Sequence, residues 1–131
     1  MALQYSTTLR NNKLTEIQTT VGSSGTLKIF SGAEPANCAA ADPSGLLATI
    51  TLPSTFITVS GGVTTISGTW SAAASGTGTA TSFRMYNGST CHVQGNVTAT
   101  GGGGNMTIDN TSINTGQTVT VTAFTLTAGN A

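Results

Sequence analysis

A chain of 131 residues is long enough for one domain that buries roughly two thirds of its unfolded surface, with no need of metal or disulfides. Only 6% of the residues are charged, against about a quarter in ordinary globular proteins, so Thr, Ser, Asn and Gly must carry the contact with water. Four basic and four acidic residues cancel, which excludes nucleic acid and anionic membrane as principal partners and favours self-association or docking on a larger assembly.

The opening Met1-Ala2-Leu3-Gln4-Tyr5 lacks the basic start and apolar run of a signal peptide. No stretch approaches the roughly 18 apolar residues that span a bilayer, so synthesis in the cytoplasm is expected. Leu9, Leu14, Ile17 and Val21 fall at approximately helical spacing and predict a helix from about Ser6 to Thr20. Ser6 or Thr7 caps its start and Gly22 ends it. The division expected is a helical segment over residues 1–22 and a β domain over 23–131, the helix lying on the sandwich edge or on another subunit.

From Thr26 the periodicity changes to two. Leu27 and Ile29 make a short strand, and Ser31 to Gly45, with Pro35, Pro43 and clustered alanines, is a long connection that covers a sheet edge or meets a partner. Leu46 to Leu52 alternates as a strand that Pro53 terminates. Gly61-Gly62 is a tight turn between a strand from Thr55 and a strand from Val63 to Trp70, and Trp70 is a core anchor. Ser71 to Gly78 reads as a turn.

The densest apolar alternation, Thr77 to Thr98, reads as a β-hairpin with Phe83 opposite Val93, Met85 opposite Cys91, and a loop at Asn87-Gly88-Ser89. Gly101 to Gly104 is a flexible loop, Met106 to Asp109 a short strand, and Asn110 to Gly116 a turn. The last strand changes phase between Val121 and Phe124, which predicts a bulge near Ala123. The fold expected is all-β: an antiparallel β-sandwich, a jelly roll of about eight strands, with one N-terminal α-helix. An immunoglobulin-like sandwich stands second.

Chemistry finds little support in the residue pattern. His92 is the only imidazole, and its neighbour Cys91 points to the opposite face of the same strand, so the two make no dyad. One His, two Cys and two Asp have no metal-ligand spacing, and the four carboxylates lie in separate contexts. The tetraglycine run lacks the Lys-Ser or Lys-Thr that follows in a phosphate loop. Four Asn-x-Ser/Thr matches are expected by chance in so Asn- and Thr-rich a chain. No enzyme, no cofactor and no metal is expected, and Cys38 and Cys91 read by default as two reduced thiols, with a bridge left open.

Read whole, MALQYSTTLRNNKLTEIQTTVG, LKIFSGAEPANCAAAD, LLATITLP, ISGTW, SFRMYNGSTCHVQG and MTIDNTSINTGQTVTVTAFTLTAGNA resemble a family of small virion proteins of tailed bacteriophages. The resemblance implies a structural protein on the capsid surface: a decoration or cement protein, dimeric or trimeric, that binds the major capsid protein and clamps neighbouring capsomers. A tail or fibre module that binds host-surface glycan is the alternative. Expected contact residues are Leu9, Arg10, Lys13, Leu14 and Ile17 on the helix, Pro35 and Asn37 in the long connection, and Arg84, Tyr86 and His92 on the outer face of the hairpin.

Overall fold

The computed structural model describes residues 3–128. The helix α1 spans Thr7–Val21; the Ser6 hydroxyl accepts from the Leu9 amide at 3.1 Å, and Gly22 closes the other end at φ 86 with its N–H on the Gln18 carbonyl. Eleven strands follow: β1 Thr26–Phe30, β2 Leu46–Thr51, β3 Ile57–Ser60, β4 Val63–Ile66, β5 Ser71–Ala73, β6 Gly78–Thr79, β7 Ser82–Asn87, β8 Thr90–Ala99, β9 Met106–Ile108, β10 Ser112–Ile113 and β11 Thr118–Phe124. The chain is therefore mostly β with one helix.

Seven strands form one sheet in the order β2-β1-β7-β8-β9-β11-β5, while β3–β4 and β6–β10 are separate two-stranded ribbons. The sheet curls until its ends meet. Past β5, the amides of Ser75 and Gly76 both donate to the Leu47 carbonyl in β2, at 2.8 and 3.2 Å, so the wrap is nearly a barrel. Closure of this kind hides the unpaired strand edges that would otherwise template aggregation.

The expected all-antiparallel arrangement of about eight strands differs from this in three places. Ser71 to Gly78 and Asn110 to Gly116, both expected as turns, contribute the short strands β5, β6 and β10. More unusually, β8 and β9 run parallel, with Val97 opposite Met106 and Ala99 opposite Ile108. Parallel neighbours ordinarily need a crossover of about a dozen residues or more; here residues 100–105 suffice. Gly101 and Gly103 sit at φ 85 and 81, so the chain reverses twice within the tetraglycine run. The return is then tied to β8: Gly104 N–H donates to the Thr98 hydroxyl, and Asn96 and Asn105 exchange amide-to-side-chain hydrogen bonds at 3.1 and 2.8 Å. The expected bulge in the last strand is present, between Val121 and Ala123.

The core is threaded by a line of rings. Phe56 meets Trp70 edge-on at 5.9 Å, Trp70 meets Phe124 at 5.9 Å, and Phe124 meets Phe83 edge-on at 5.4 Å. All four are buried, and the Trp70 indole N–H is satisfied by the Ser67 carbonyl. The line joins the loop before β3 to β11 and β7, elements far apart in sequence.

The helix packs on its own chain. Leu14 and Val21 are buried and Ile17 lies against the core. Polar side chains fix the helix on the β3–β4 ribbon: Asn11 accepts from the Gly62 amide at 2.7 Å and Gln18 from the Ile57 amide at 3.1 Å. Arg10 donates to the Ala128 carbonyl, and its guanidinium occupies the space beside Gly62, where a Cβ would stand 2.5 Å from Nη2. The Gly61-Gly62 turn is thus required twice over, by its positive φ angles and by this close approach.

Trp70→Ala should remove the middle of the aromatic line and cost about 3–5 kcal/mol, read as a lower midpoint in urea unfolding monitored by circular dichroism. Loss of less than about 1 kcal/mol would mean that the line does not organise the core.

Candidate functional site

Chemically distinctive side chains converge at one place, where β1, β7 and β8 meet the connection from Ser31 to Gly45. The neck of that connection is zipped shut: Ser31 N–H bonds the Gly45 carbonyl and Gly32 N–H the Ser44 carbonyl, both at 2.9 Å. The hydroxyls of Thr81 and Ser82 both donate to the Gly32 carbonyl at 2.7 Å and bind the neck to the start of β7. With its ends held together, the segment is a compact lobe that folds back over the outer face of the sheet.

Arg84 lies beneath the lobe. Only 2% of its surface is exposed. Its Nη1 donates to the Ala40 carbonyl at 3.0 Å and to Asp42 Oδ1 at 2.9 Å, its Nη2 to the Asn37 carbonyl at 3.0 Å, and its Nε to Gln94 Oε1 at 3.2 Å. Gln94 in turn donates from Nε2 to the Pro35 carbonyl at 2.7 Å. Asn37 shapes the receiving backbone, its Oδ1 accepting from the amides of Ala39 and Ala40 at 2.9 and 3.0 Å. The planar guanidinium fork thus reads three points on a turn that Asn37 holds in shape.

Tyr86, also buried, donates its hydroxyl to the same Asp42 oxygen that receives Arg84. Lys28 stands directly opposite Arg84 on β1, a like-charge pair that would repel across the strands. Its ammonium is placed over the Tyr86 ring, 5.0 Å from the centroid, and Asp42 supplies the opposing charge. The hydrogen bond from Tyr86 and then the bond and charge of Arg84 hold the Asp42 carboxyl below its ordinary value, against the opposing pull of burial. Burial, then the bond to Asp42, pushes the Tyr86 phenol well above its ordinary range. For Arg84, burial works against the charge, but the bonds to Asp42 and Tyr86 prevail and raise its pKa.

Cys91 and Cys38 complete the site. The expected hairpin register placed Cys91 on the core face opposite Met85; instead Met85 pairs with Val93, Tyr86 with Cys91 and Asn87 with Thr90. The ladder shifts because His92 is an extra residue between Cys91 and Val93, a bulge that alternation alone does not reveal. The turn correspondingly shortens to Gly88-Ser89, with Gly88 at φ 62. Cys91 thereby joins Tyr86 on the lobe side, its Sγ 2.6 Å from that of Cys38 in the lobe. Burial, and then Cys38, pushes the Cys91 thiol up to about 12.

The expected contact residues are consequently divided. Arg84 and Tyr86 do not form an outward patch with His92; they are sealed under the lobe, and His92 alone of the three is exposed. Pro35 and Asn37 belong to the lobe, where the Asn37 carbonyl accepts from Arg84 and the Pro35 carbonyl from Gln94. On the helix, Leu14 is buried, Arg10 and Ile17 turn toward the chain's own ribbon and core, and Lys13 and Leu9 face outward, Lys13 over the Tyr5 ring and Leu9 45% exposed. Among the described residues no three His, Cys, Asp or Glu side chains gather as a metal-ligand set, and no helix is long and apolar enough to cross a membrane.

Comparison with protein-family models, with curated proteins and with solved structures returns no match. The site is therefore read from its own geometry. Every buried side-chain nitrogen and oxygen among the described residues has a partner. An arginine so fully engaged acts as a clamp between the lobe and the sheet.

Two measurements test the clamp. Arg84→Met should destabilise the protein by about 2–3 kcal/mol and speed amide exchange over residues 33–44, the cost being limited because Asp42 is 45% exposed and can rehydrate. Unchanged exchange in the lobe would reject the clamp. Acid should act through Asp42: with its folded pKa below the ordinary 3.8, the stabilisation is complete above that value and drains away as pH falls through the folded pKa. Lobe exchange normalised for intrinsic rate should therefore rise only below about pH 4, and Asp42→Asn should remove that acid step.

Proposed function

We propose that this chain is a structural virion protein: a capsid decoration protein that binds the outer surface of a phage shell and stabilises contacts between capsomers of the major capsid protein, as a dimer or trimer. The observation that carries the reading is where the few charges go. Of eight charged side chains outside the termini, Arg84 and Asp42 pair with each other, Arg10 is tied to Ala128, and Lys28 and Lys13 lie over tyrosine rings. The exterior left for contact is sparsely charged, with Glu16, Glu34 and Asp109 as scattered acids, is rich in hydroxyls, and carries isolated apolar side chains such as Leu9 and Leu46. A surface of that kind suits many weak contacts repeated by symmetry, in which avidity replaces a strong single site.

The body is read in the same terms as a sandwich of the jelly-roll class. Support comes from the aromatic line, which the β3–β4 ribbon and the curled sheet enclose between them, the ribbon being joined at its edge to the chain after β11 by the hydrogen bond from the Thr64 amide to the Leu126 carbonyl. The contact face assigned to the capsid is the outward side of α1, with Leu9 and Lys13, together with His92 and the outer surface of the lobe. Assembly in the host cytoplasm followed by attachment to the shell fits a chain whose contacts do not depend on charge.

The test uses the full-length protein, because removal of α1 would expose core around Leu14 and Val21. Added to shells of the major capsid protein of the same phage, it should cosediment with them, and Leu9→Asp should weaken that binding about tenfold with an unchanged melting temperature. Binding unaffected by Leu9→Asp would remove the helix from the contact face, while copurification with tails instead of capsids would overturn the decoration role in favour of a tail module.

A further inference from the structure

We propose that Cys38 and Cys91 are a site of reversible disulfide formation that locks the Ser31–Gly45 lobe onto the β7–β8 hairpin. The inference is independent of the capsid reading and rests on three features of the site. The thiols lie on two different elements, 53 residues apart in sequence, with their sulfurs 2.6 Å apart. Both elements are already held by the Arg84 and Gln94 contacts, and a bond needs the sulfurs to close only from 2.6 Å to about 2.05 Å. The bulge at His92 is what turns Cys91 toward the lobe at all; in a regular ladder it would face the core beside Met85.

The chemistry is a two-step exchange with a small-molecule disulfide such as oxidised glutathione. Cys38, on the lobe and partly exposed as Cys91 is, exchanges with the oxidant to give a mixed disulfide and releases one glutathione thiol. The Cys91 sulfur then attacks the Cys38 sulfur and expels the second glutathione thiol, which takes up the proton that Cys91 gives up. Two protein thiols are oxidised and one glutathione disulfide is reduced to two thiols. Cys91 suits the resolving role, since a thiol pushed up by burial attacks slowly in solution but is here held against the sulfur it must reach.

The non-covalent clamp and the bond act on the same lobe in different ways. Arg84 sets where the lobe sits, and the bond removes its freedom to leave. Closing a loop of this length constrains the unfolded chain strongly, so the oxidised protein should melt higher by on the order of 10 °C.

The full chain is equilibrated with glutathione buffers of increasing oxidised fraction, quenched by alkylation and weighed intact; the same samples are followed by amide exchange over residues 33–44. The expected result is loss of two hydrogens with no added glutathione, a cross-linked peptide joining Cys38 to Cys91, and slower lobe exchange than in the reduced protein or in Cys38→Ser. Cys91→Ser serves as the second control and should trap glutathione on Cys38. Two free thiols in excess oxidant, a persistent glutathione adduct on the wild-type chain, a bridge between two chains, or a bridge that leaves lobe exchange unchanged would each overturn the proposal.

Discussion

A guanidinium that loses contact with water must find its full set of acceptors nearby, and that single demand governs the outer half of this molecule. Arg84 sits in the middle of β7, on the face that a two-layered β protein would normally give to solvent. Once it is placed there with carbonyls of Asn37 and Ala40 and the Asp42 carboxylate around it, the lobe cannot move off without breaking three hydrogen bonds at once, one of them the ion pair to Asp42. The consequence is visible along β7, where every residue from Ser82 to Tyr86 is buried. A strand covered on both sides normally lies between two regular layers. Here one of the layers is an irregular segment held by an arginine.

The inner half depends on a different constraint. The ring contacts from Phe56 through Trp70 and Phe124 to Phe83 tie together residues contributed by four separate parts of the chain, and each ring has little room to move in a close-packed core. The curl of the sheet follows the same requirement, since a flat seven-stranded layer could not bring β5 back to β2. Arg84 and the ring line meet at β7: Phe83 and Met85 face inward, Arg84 and Tyr86 outward. This strand joins the two halves, and its pairing with β8 departs from regular register only at the His92 bulge.

Much of this order is written in local pattern. Ser6 and Gly22 mark the helix ends because capping is a short-range hydrogen-bond problem. The β2 strand, the Gly61-Gly62 turn and the bulge near Ala123 are legible because alternation and glycine chemistry act within a few residues. What alternation misses is the pairing of distant segments. The hairpin register slips by two residues near Phe83 because a bulge inserts His92 without altering the apolar count, and so Cys91 changes sides. The parallel return through Gly101 to Gly104 looks like slack chain until Asn96, Asn105 and Thr98 are seen to bind it. One signal for the site was available: an arginine flanked by Phe83 and Met85, facing the way of Tyr86, close in composition to a proline-bounded segment with a lone Asp42. Charge scarcity was the clue, because a chain with so few ions seldom places one mid-strand without a counterpart.

That scarcity also limits what the remaining surface can do. Glu16, Glu34 and Asp109 are the acids outside the clamp, and none is opposed by a basic side chain in an ion pair among the described residues. Two of them are bonded locally: Glu16 accepts from the Thr20 hydroxyl, and Asp109 accepts from the amides of Asn110 and Thr120. Threonine pairs elsewhere bond to one another, as Thr58 does to Thr65 and Thr122 to both Thr100 and Thr107. Hydroxyl surfaces satisfied in this way have little electrostatic range, so what they present to their surroundings is shape more than charge. Shape persists only if the covering segments stay put. The lobe is the covering segment with the least regular structure and the most specific attachment, and the arginine beneath it is what makes a loop behave as part of a rigid face.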